Sequence, residues 1–595
     1  MKPKRYIVLL SSLLLFLTLA NAGGNEKYKI KTVRFEGNQV FSDSRLHTVM
    51  ISRPSTFLNP SVYHEAVFQE DLKMLQLFYH QNGYLEAEIT HYSVSIDSVK
   101  KQVHISIQIH EGELTYIEGV TIFGNKAFSD ELIMKKIKIN GGDPFNRKKI
   151  EEATLALLTL YAENGFLDAE INPDVRINRE LHRAIIDFQI TERNQYRIGE
   201  IRISGNNKTD PQVIRRELNF KSGEIVNYTR LLQSQRKLYL TGLFQSVFIT
   251  PQKSSVGDSN LKDILIDLKE NESIEFSVAA GYGTVDKVRG KAEVYNHNLM
   301  GTARKIGLLG RVSFIYRSIE ASFTEPWTLG IPWKTDINLF AEYKEEPGYD
   351  FSRVGGRITY GRNFLKRSNA NLSYRHENVG LKNLRVREVP EKLRNNVRSL
   401  KLSLIYDTRD NLFNPASGVY LELSNELAGS FLKGDISFFR TIAQFKSFQK
   451  LGRETVVGSN LELGLIDVEG GISRVPLNER FYSGGPNSIR GFNYQEVGPL
   501  DDRGFPIGGA FKVVFNIVEI RQTFYKMIGG VAFLDAGNVW TRKEHFNFRD
   551  IRLAAGMGLR VNTPIGLARL DYGFNLNPYP GEPSGKLYFS MGQAF

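Results

Sequence analysis

Two hydrophobic periodicities divide the chain. From about Lys29 to Asn271, short alternating apolar runs are interleaved with segments of helical spacing; from about Ser273 onward only period-2 alternation remains. Ile274, Phe276, Val278, Ala280 and Tyr282 share one face of a strand, and Ser273, Glu275, Ser277 and Ala279 share the other. The alternation recurs at Leu400, Leu402, Leu404 and Tyr406, at Val419, Leu421 and Leu423, and at Ala568, Leu570, Tyr572 and Phe574. The last strand sets Leu587, Phe589, Met591 and Phe595 against Lys586, Tyr588, Ser590 and Gly592. Spread over 273–595, sixteen strands receive about 20 residues each with their connections, a comfortable value for membrane strands of about ten residues. The expected second half is a 16-stranded antiparallel transmembrane β-barrel.

The first half repeats. Val33-Arg-Phe-Glu-Gly37-Asn38, Val120-Thr-Ile-Phe-Gly124-Asn125 and Ile201-Arg-Ile-Ser-Gly205-Asn206 open three copies. Each runs on through a helical segment to a turn: Tyr79 to Asn82-Gly83-Tyr84, Tyr161 to Asn164-Gly165-Phe166, and a degenerate Tyr239-Leu-Thr-Gly242-Leu243-Phe244. A glycine after a helix caps it and lets the chain turn into a strand. Alternating strands follow, with Val103, Ile105, Ile107 and Ile109, then Ile186, Phe188 and Ile190, then Ile264, Ile266 and Leu268. The expected order is strand, helix, helix, strand, strand, three times. A period near 80 residues is too long for a solenoid and implies separate α+β domains on short joints.

Ahead of the repeats, Lys2, Lys4 and Arg5 precede an apolar stretch from about Ile7 to Leu19, and Ala20-Asn21-Ala22 supplies small residues at the −3 and −1 positions. This has the form of a cleaved secretory signal. The domain plan is a signal peptide over 1–22, repeats over 23–113, 114–194 and 195–271, and a barrel over 272–595.

Composition narrows the function. The 595 residues include no Cys, which excludes disulfides, thiolate metal sites and cysteine nucleophiles. Mean hydropathy is −0.28, and beyond the first two dozen residues no apolar run reaches 18, so membrane-spanning helices are excluded while barrel strands are not. The net charge of +12 comes from Lys and Arg scattered without a basic run of five, so no nucleic-acid partner is expected. No H-E-x-x-H or G-x-S-x-G string occurs. Gly581-Glu-Pro-Ser-Gly585-Lys586 imitates a phosphate loop, but its glycines are too close and Leu587 stands where Ser or Thr must meet magnesium. The ten His are scattered, with His104 and His110 on alternating strands. No enzyme activity, cofactor or metal is expected.

One segment between strands stands out: Gly484-Gly485-Pro486-Asn487-Ser488-Ile489-Arg490-Gly491-Phe492. Glycines on both sides of an Arg allow a tight hairpin that carries the guanidinium into a lumen, where its fixed donor fork needs a carboxylate. Glu519, in Asn516-Ile-Val-Glu519-Ile-Arg521, and Asp535, in Phe533-Leu-Asp535-Ala-Gly537-Asn538, are the candidate partners.

These strings resemble the outer-membrane protein assembly family of BamA/TamA type, with POTRA domains for the repeats and a surface-antigen-like barrel. The Arg490 loop is similar to the R-G-F loop of that family and of two-partner-secretion transporters, and Asp535 falls in its F-x-D-x-G strand motif, whose Asp is associated with the loop Arg. The strings Tyr295 to Gly301, Phe323-Thr-Glu325-Pro326-Trp327 and Tyr406-Asp407-Thr408-Arg409-Asp410 resemble the family's barrel turns and strand ends. The resemblance implies an outer-membrane insertase with periplasmic POTRA domains that bind client strands at open sheet edges, and a barrel that opens laterally at its seam. The seam would pair Ser273–Tyr282 with Gly585–Phe595, placing Ile274, Phe276, Leu587, Phe589 and Phe595 there. Three POTRA domains make the chain most similar to TamA-like members, with a BamA-type core factor as the alternative. A two-partner secretion pore exporting an unfolded polypeptide is the alternative of another class. Implied partners are client outer-membrane proteins, outer-membrane lipid, and either a long TamB-like periplasmic protein or assembly lipoproteins.

Overall fold

The structure is a computed structural model that describes residues 28–55, 61–255, 257–365, 367–387, 392–412, 414–452, 454–525, 527–563 and 566–592. The expected signal segment and Phe595 lie outside the described residues. The chain clusters into two compact units: one holds the first two repeats and part of the third, the other the rest of the third and the barrel.

Repeat 1 runs β1 (Lys29–Glu36), α1 (Asp43–Val49), α2 (Glu65–Gln81), β2 (Glu88–Asp97), β3 (Gln102–His110). Repeat 2 runs β4 (Tyr116–Phe123), α3 (Asp130–Ile137), α4 (Arg147–Glu163), β5 (Glu170–Asn178), β6 (Arg183–Thr191). Repeat 3 runs β7 (Arg197–Ser204), α5 (Pro211–Arg215), α6 (Tyr228–Leu240), β8 (Phe244–Lys253), β9 (Leu261–Glu270). In each sheet the last strand lies in the middle. In the first two repeats it is parallel to the opening strand and antiparallel to the other. That central strand must carry a continuous apolar stripe: Val103, Ile105, Ile107 and Ile109 pack under Phe68, Leu72 and Leu75 of α2.

The recurring Gly-Asn and Tyr-to-Gly strings belong to one hydrogen-bonded device. Gly37 and Gly124 sit at φ +85° and +84°, and a Cβ on either would lie 2.1 Å from a carbonyl oxygen of the central strand, at Ile109 or Ile190. Only glycine fits there. The Asn38 amide donates to Phe41 O and Asp43, and Asn125 does the same to Phe128 O and Asp130, sewing the turn to the next helix. The turn's free N–H groups are taken by an acid at the end of the central strand. Glu111 accepts from Gln39 N, Val40 N and the Tyr79 hydroxyl; Glu192 accepts from Lys126 N, Ala127 N and the Tyr161 hydroxyl. In repeat 3 Glu270 caps Lys208 and Thr209.

The barrel closes sixteen strands in sequence order, every neighbour antiparallel. They are β10 (Ile274–Gly283), β11 (Lys287–Leu299), β12 (Arg304–Ser313), β13 (Tyr316–Glu325), β14 (Lys334–Glu346), β15 (Tyr349–Leu365), β16 (Ser368–Lys382), β17 (Arg394–Asp407), β18 (Gly418–Ala428), β19 (Phe438–Lys450), β20 (Thr455–Asp467), β21 (Phe511–Tyr525), β22 (Ile528–Trp540), β23 (Arg552–Thr563), β24 (Gly566–Asn575) and β25 (Gly585–Gly592). Burial is inverted relative to a water-soluble protein. Phe276 and Val278 are 70% and 69% exposed on the outer face, while Glu377 and Asp535 are fully buried inside. An apolar exterior around a charged interior is a surface built to face lipid.

Within the second unit, two of the family-like strings meet the segments that flank α5, one before it and one after it. The Asn298 amide donates to Thr209 Oγ1 at 2.9 Å, Asp210 N donates to Gly301 O, and Trp327 Nε1 donates to Glu217 at 2.7 Å.

Candidate functional site

Between β20 and β21 the chain runs from 468 to 510 and folds into the barrel, burying Leu477, Ile489, Phe492 and Val497. Its base is zipped by paired backbone bonds between Phe481 and Gly509 and by a bridge from Ser483 to Val497. The tip turns on Gly484, Gly485 and Gly491, all at positive φ. Gly491 meets Gly573 of β24 so closely that a Cβ on Gly573 would lie 2.5 Å from Gly491 N. Two facing glycines let the tip touch the wall backbone to backbone.

That approach delivers Arg490, 6% exposed, to both candidate carboxylates. Nε and Nη2 donate to the two oxygens of Asp535 at 2.7 and 2.9 Å, and Nη1 donates to Glu519 at 2.6 Å. The Arg490 backbone N–H and the Asn516 amide also donate to Asp535, and Arg521 Nε donates to Glu519. The guanidinium carbon sits 3.4 Å from the centre of the Phe533 ring. Below the tip lies a cavity of about 390 Å³, whose lining includes Arg490, Glu519, Arg521, Arg560 and Arg569. Fork, acids and ring fix the loop's position by bidentate geometry. Among the described residues no group of three or more His, Asp or Glu could hold a metal ion.

The tip also reaches the last strand. Tyr588 of β25 is buried and donates its hydroxyl to the Phe492 carbonyl, two residues past Arg490. The sequence shows Tyr588 on the face opposite Leu587 but not its partner, which lies 96 residues away.

At the seam, β10 pairs with β11 along its whole length, Ile274 to Gly283. Toward β25, among the described residues, only Gly281, Tyr282 and Gly283 pair, with Gly592, Met591 and Ser590. Thr284 extends the contact by donating its N–H to Phe589 O at 2.9 Å. Among the described residues the ladder expected over Ser273–Tyr282 is therefore confined to one end. The reason is stagger: Gly585–Phe589 run past the end of β10 while pairing with β24. Ile274 and Phe276 stand on the stretch of β10 that has no seam partner among the described residues, and Leu587 is paired with Tyr572 of β24.

A POTRA model, described as a surface antigen variable number repeat, matches residues 28–112, 115–193 and 196–271, and an Omp85 superfamily domain model matches 298–595. The outer membrane protein assembly factor BamA of Nitratidesulfovibrio vulgaris is 26% identical, over 96% of this chain and 74% of that one. BamA of Neisseria meningitidis is 24% identical, over 95% of this chain and 78% of that one. The crystal structure of BamA from Haemophilus ducreyi lacking POTRA domains 1–3 superposes with a TM-score of 0.67 at 20% identity, covering 81% of this chain and 100% of that one, a likeness of fold.

Proposed function

Because this chain belongs to the Omp85 superfamily, we propose that it is an outer-membrane assembly factor of the BamA type, which folds client β-barrel proteins into the membrane by pairing their strands at its seam. The barrel lies in a bacterial outer membrane with the POTRA domains in the periplasm. The observation that carries the reading is the short seam: among the described residues, three of β10 are paired toward β25 against ten toward β11. The stretch Ile274–Ser277 offers backbone donors and acceptors to a client strand. In lipid each backbone group left unpaired costs several kcal/mol, so pairing drives insertion without an external energy source. No catalytic step or cofactor enters. The POTRA sheets, with their outer strands at open edges, are suited to hold clients on the way.

The test is reconstitution of the full chain in liposomes with a urea-unfolded barrel client. Faster appearance of folded, membrane-inserted client than in empty liposomes is expected; client delivered unfolded into the liposome interior would instead mark a secretion pore. A TamA-like variant of the same reading is supported if a long TamB-like periplasmic protein co-purifies and opposed if assembly lipoproteins do.

A further inference from the structure

A second buried charge cluster lies in the lumen, apart from Arg490. Its centre is Arg375 of β16, which donates to Glu377 at 2.9 Å, to Glu426 of β18 at 2.8 Å, to Ser399 of β17 at 3.1 Å and to Glu479 at 3.0 and 3.3 Å. Arg440 of β19 pairs with Glu426 and, at 3.0 Å, with Glu479. Arg353 of β15 pairs with Glu342 of β14 at 2.8 Å and stands 3.7 Å from Glu377. Every member but one belongs to the wall. Glu479, 3% exposed, belongs to the loop, eleven residues before Arg490.

We propose that the lumen loop is anchored twice, with Glu479 as a second positioning residue that holds the loop's incoming leg to β16 and β19 and thereby sets where the tip meets the last strand. Three observations carry this. Arg440 Nη1 also donates to the main-chain carbonyl of Glu479 at 3.2 Å, so the wall grips the loop backbone and not only its side chain. The next residue, Arg480, donates to Val475 O and Ile507 O, binding the incoming leg to the outgoing one. The two anchors have opposite polarity: a loop acid enters wall arginines at one, and a loop arginine enters wall acids at the other, so neither can take the other's place. A buried ionic network is weak evidence for stability and is better suited to fixing a position. The bearing on client assembly rests on the reading proposed above; the anchor itself does not.

The test uses the full chain, whose lack of Cys gives a clean background. Asn487→Cys and Arg569→Cys mark the contact between the tip and β24, where Arg569 donates to Asn487 at 2.6 Å, and a short thiol-reactive bifunctional reagent reports docking without any client. Glu479→Gln is expected to lower crosslink yield about tenfold, as fits the loss of charged hydrogen bonds. Glu377→Gln, which removes the same charge from the same cluster but not from the loop, is expected to leave it unchanged. Equal yields in Glu479→Gln and its parent overturn the proposal, as does an equal fall in both variants, which would mean the cluster only supports the wall. If Glu479→Gln does not form a barrel, Glu479→Asp takes its place: a reduced yield supports the anchor and an unchanged one overturns it. A fall in crosslinking with client assembly unaffected leaves the anchor standing and counts against the seam reading.

Discussion

Replacing Arg490 by Ala tests the loop contact most sharply, because the partners it leaves behind are known atom by atom. The change removes two charged donors from Asp535 and one from Glu519. Asp535, fully buried, keeps the N–H of residue 490 at 3.1 Å and the Asn516 amide at 2.9 Å, and Glu519 keeps Arg521 at 2.8 Å. Removing one partner of a buried ion pair costs about 3–5 kcal/mol, and the surviving donors place this case at the lower end, about 3 kcal/mol. At 1.4 kcal/mol per decade, loop docking weakens by about 100-fold. Arg490→Lys supplies one prong for two acids and should recover less than half of that loss. Hydrogen exchange reads the equilibrium directly at the N–H of Ser488 and Val497, which are bonded to Gly485 O and Ser483 O inside the docked loop. Protection at these amides should fall by about two orders of magnitude in the Ala variant. Protection within twofold of the parent, in a barrel that still migrates differently boiled and unboiled, would show that the guanidinium does not hold the loop.

Gly124→Ala should destabilise the second repeat by at least about 2 kcal/mol, since a positive φ alone costs 1–2 kcal/mol and its Cβ would also meet Ile190 O at 2.1 Å; urea unfolding followed by circular dichroism measures it. Asp263 in the third repeat is held down to about 2 by the backbone N–H groups of Ser255 and Glu200, with Arg202 assisting. Its folded pKa lies below the unfolded value near 4, so its contribution is complete above about pH 4 and lost as pH falls toward 2. Asp263→Asn should flatten that part of the acid-unfolding profile, and an unchanged profile would assign the transition to other carboxylates.

How much of this was legible in sequence depended on range. Period 2 fixes which face each residue takes, so Phe276, Leu404 and Leu587 are assigned outward from the chain alone, and the structure has all three exposed. Period 2 says nothing about stagger, and so the seam, whose paired length is set by how far β25 slides along β10, could not be read. Arg490 stood out because glycines frame it, and its partners lay in the next two strands. Glu479 had no such frame: the Asn-Glu-Arg around it is ordinary loop composition, and its guanidiniums come from β16 and β19, as far as 104 residues away. The Glu111 and Glu192 caps were hidden for a milder reason, since a Glu after an alternating strand resembles any solvated strand end.

The seam itself gives the most direct measurement. Tyr282 and Met591 face each other across it, and Tyr282→Cys with Met591→Cys in the Cys-free chain should form a disulfide that joins β10 to β25. With the disulfide closed, the protein should keep its heat-sensitive barrel migration and lose assembly of a barrel client, and reduction should restore assembly. Undiminished assembly with the seam fully crosslinked would contradict strand pairing at an opening seam and leave the POTRA domains to act as a chaperone alone.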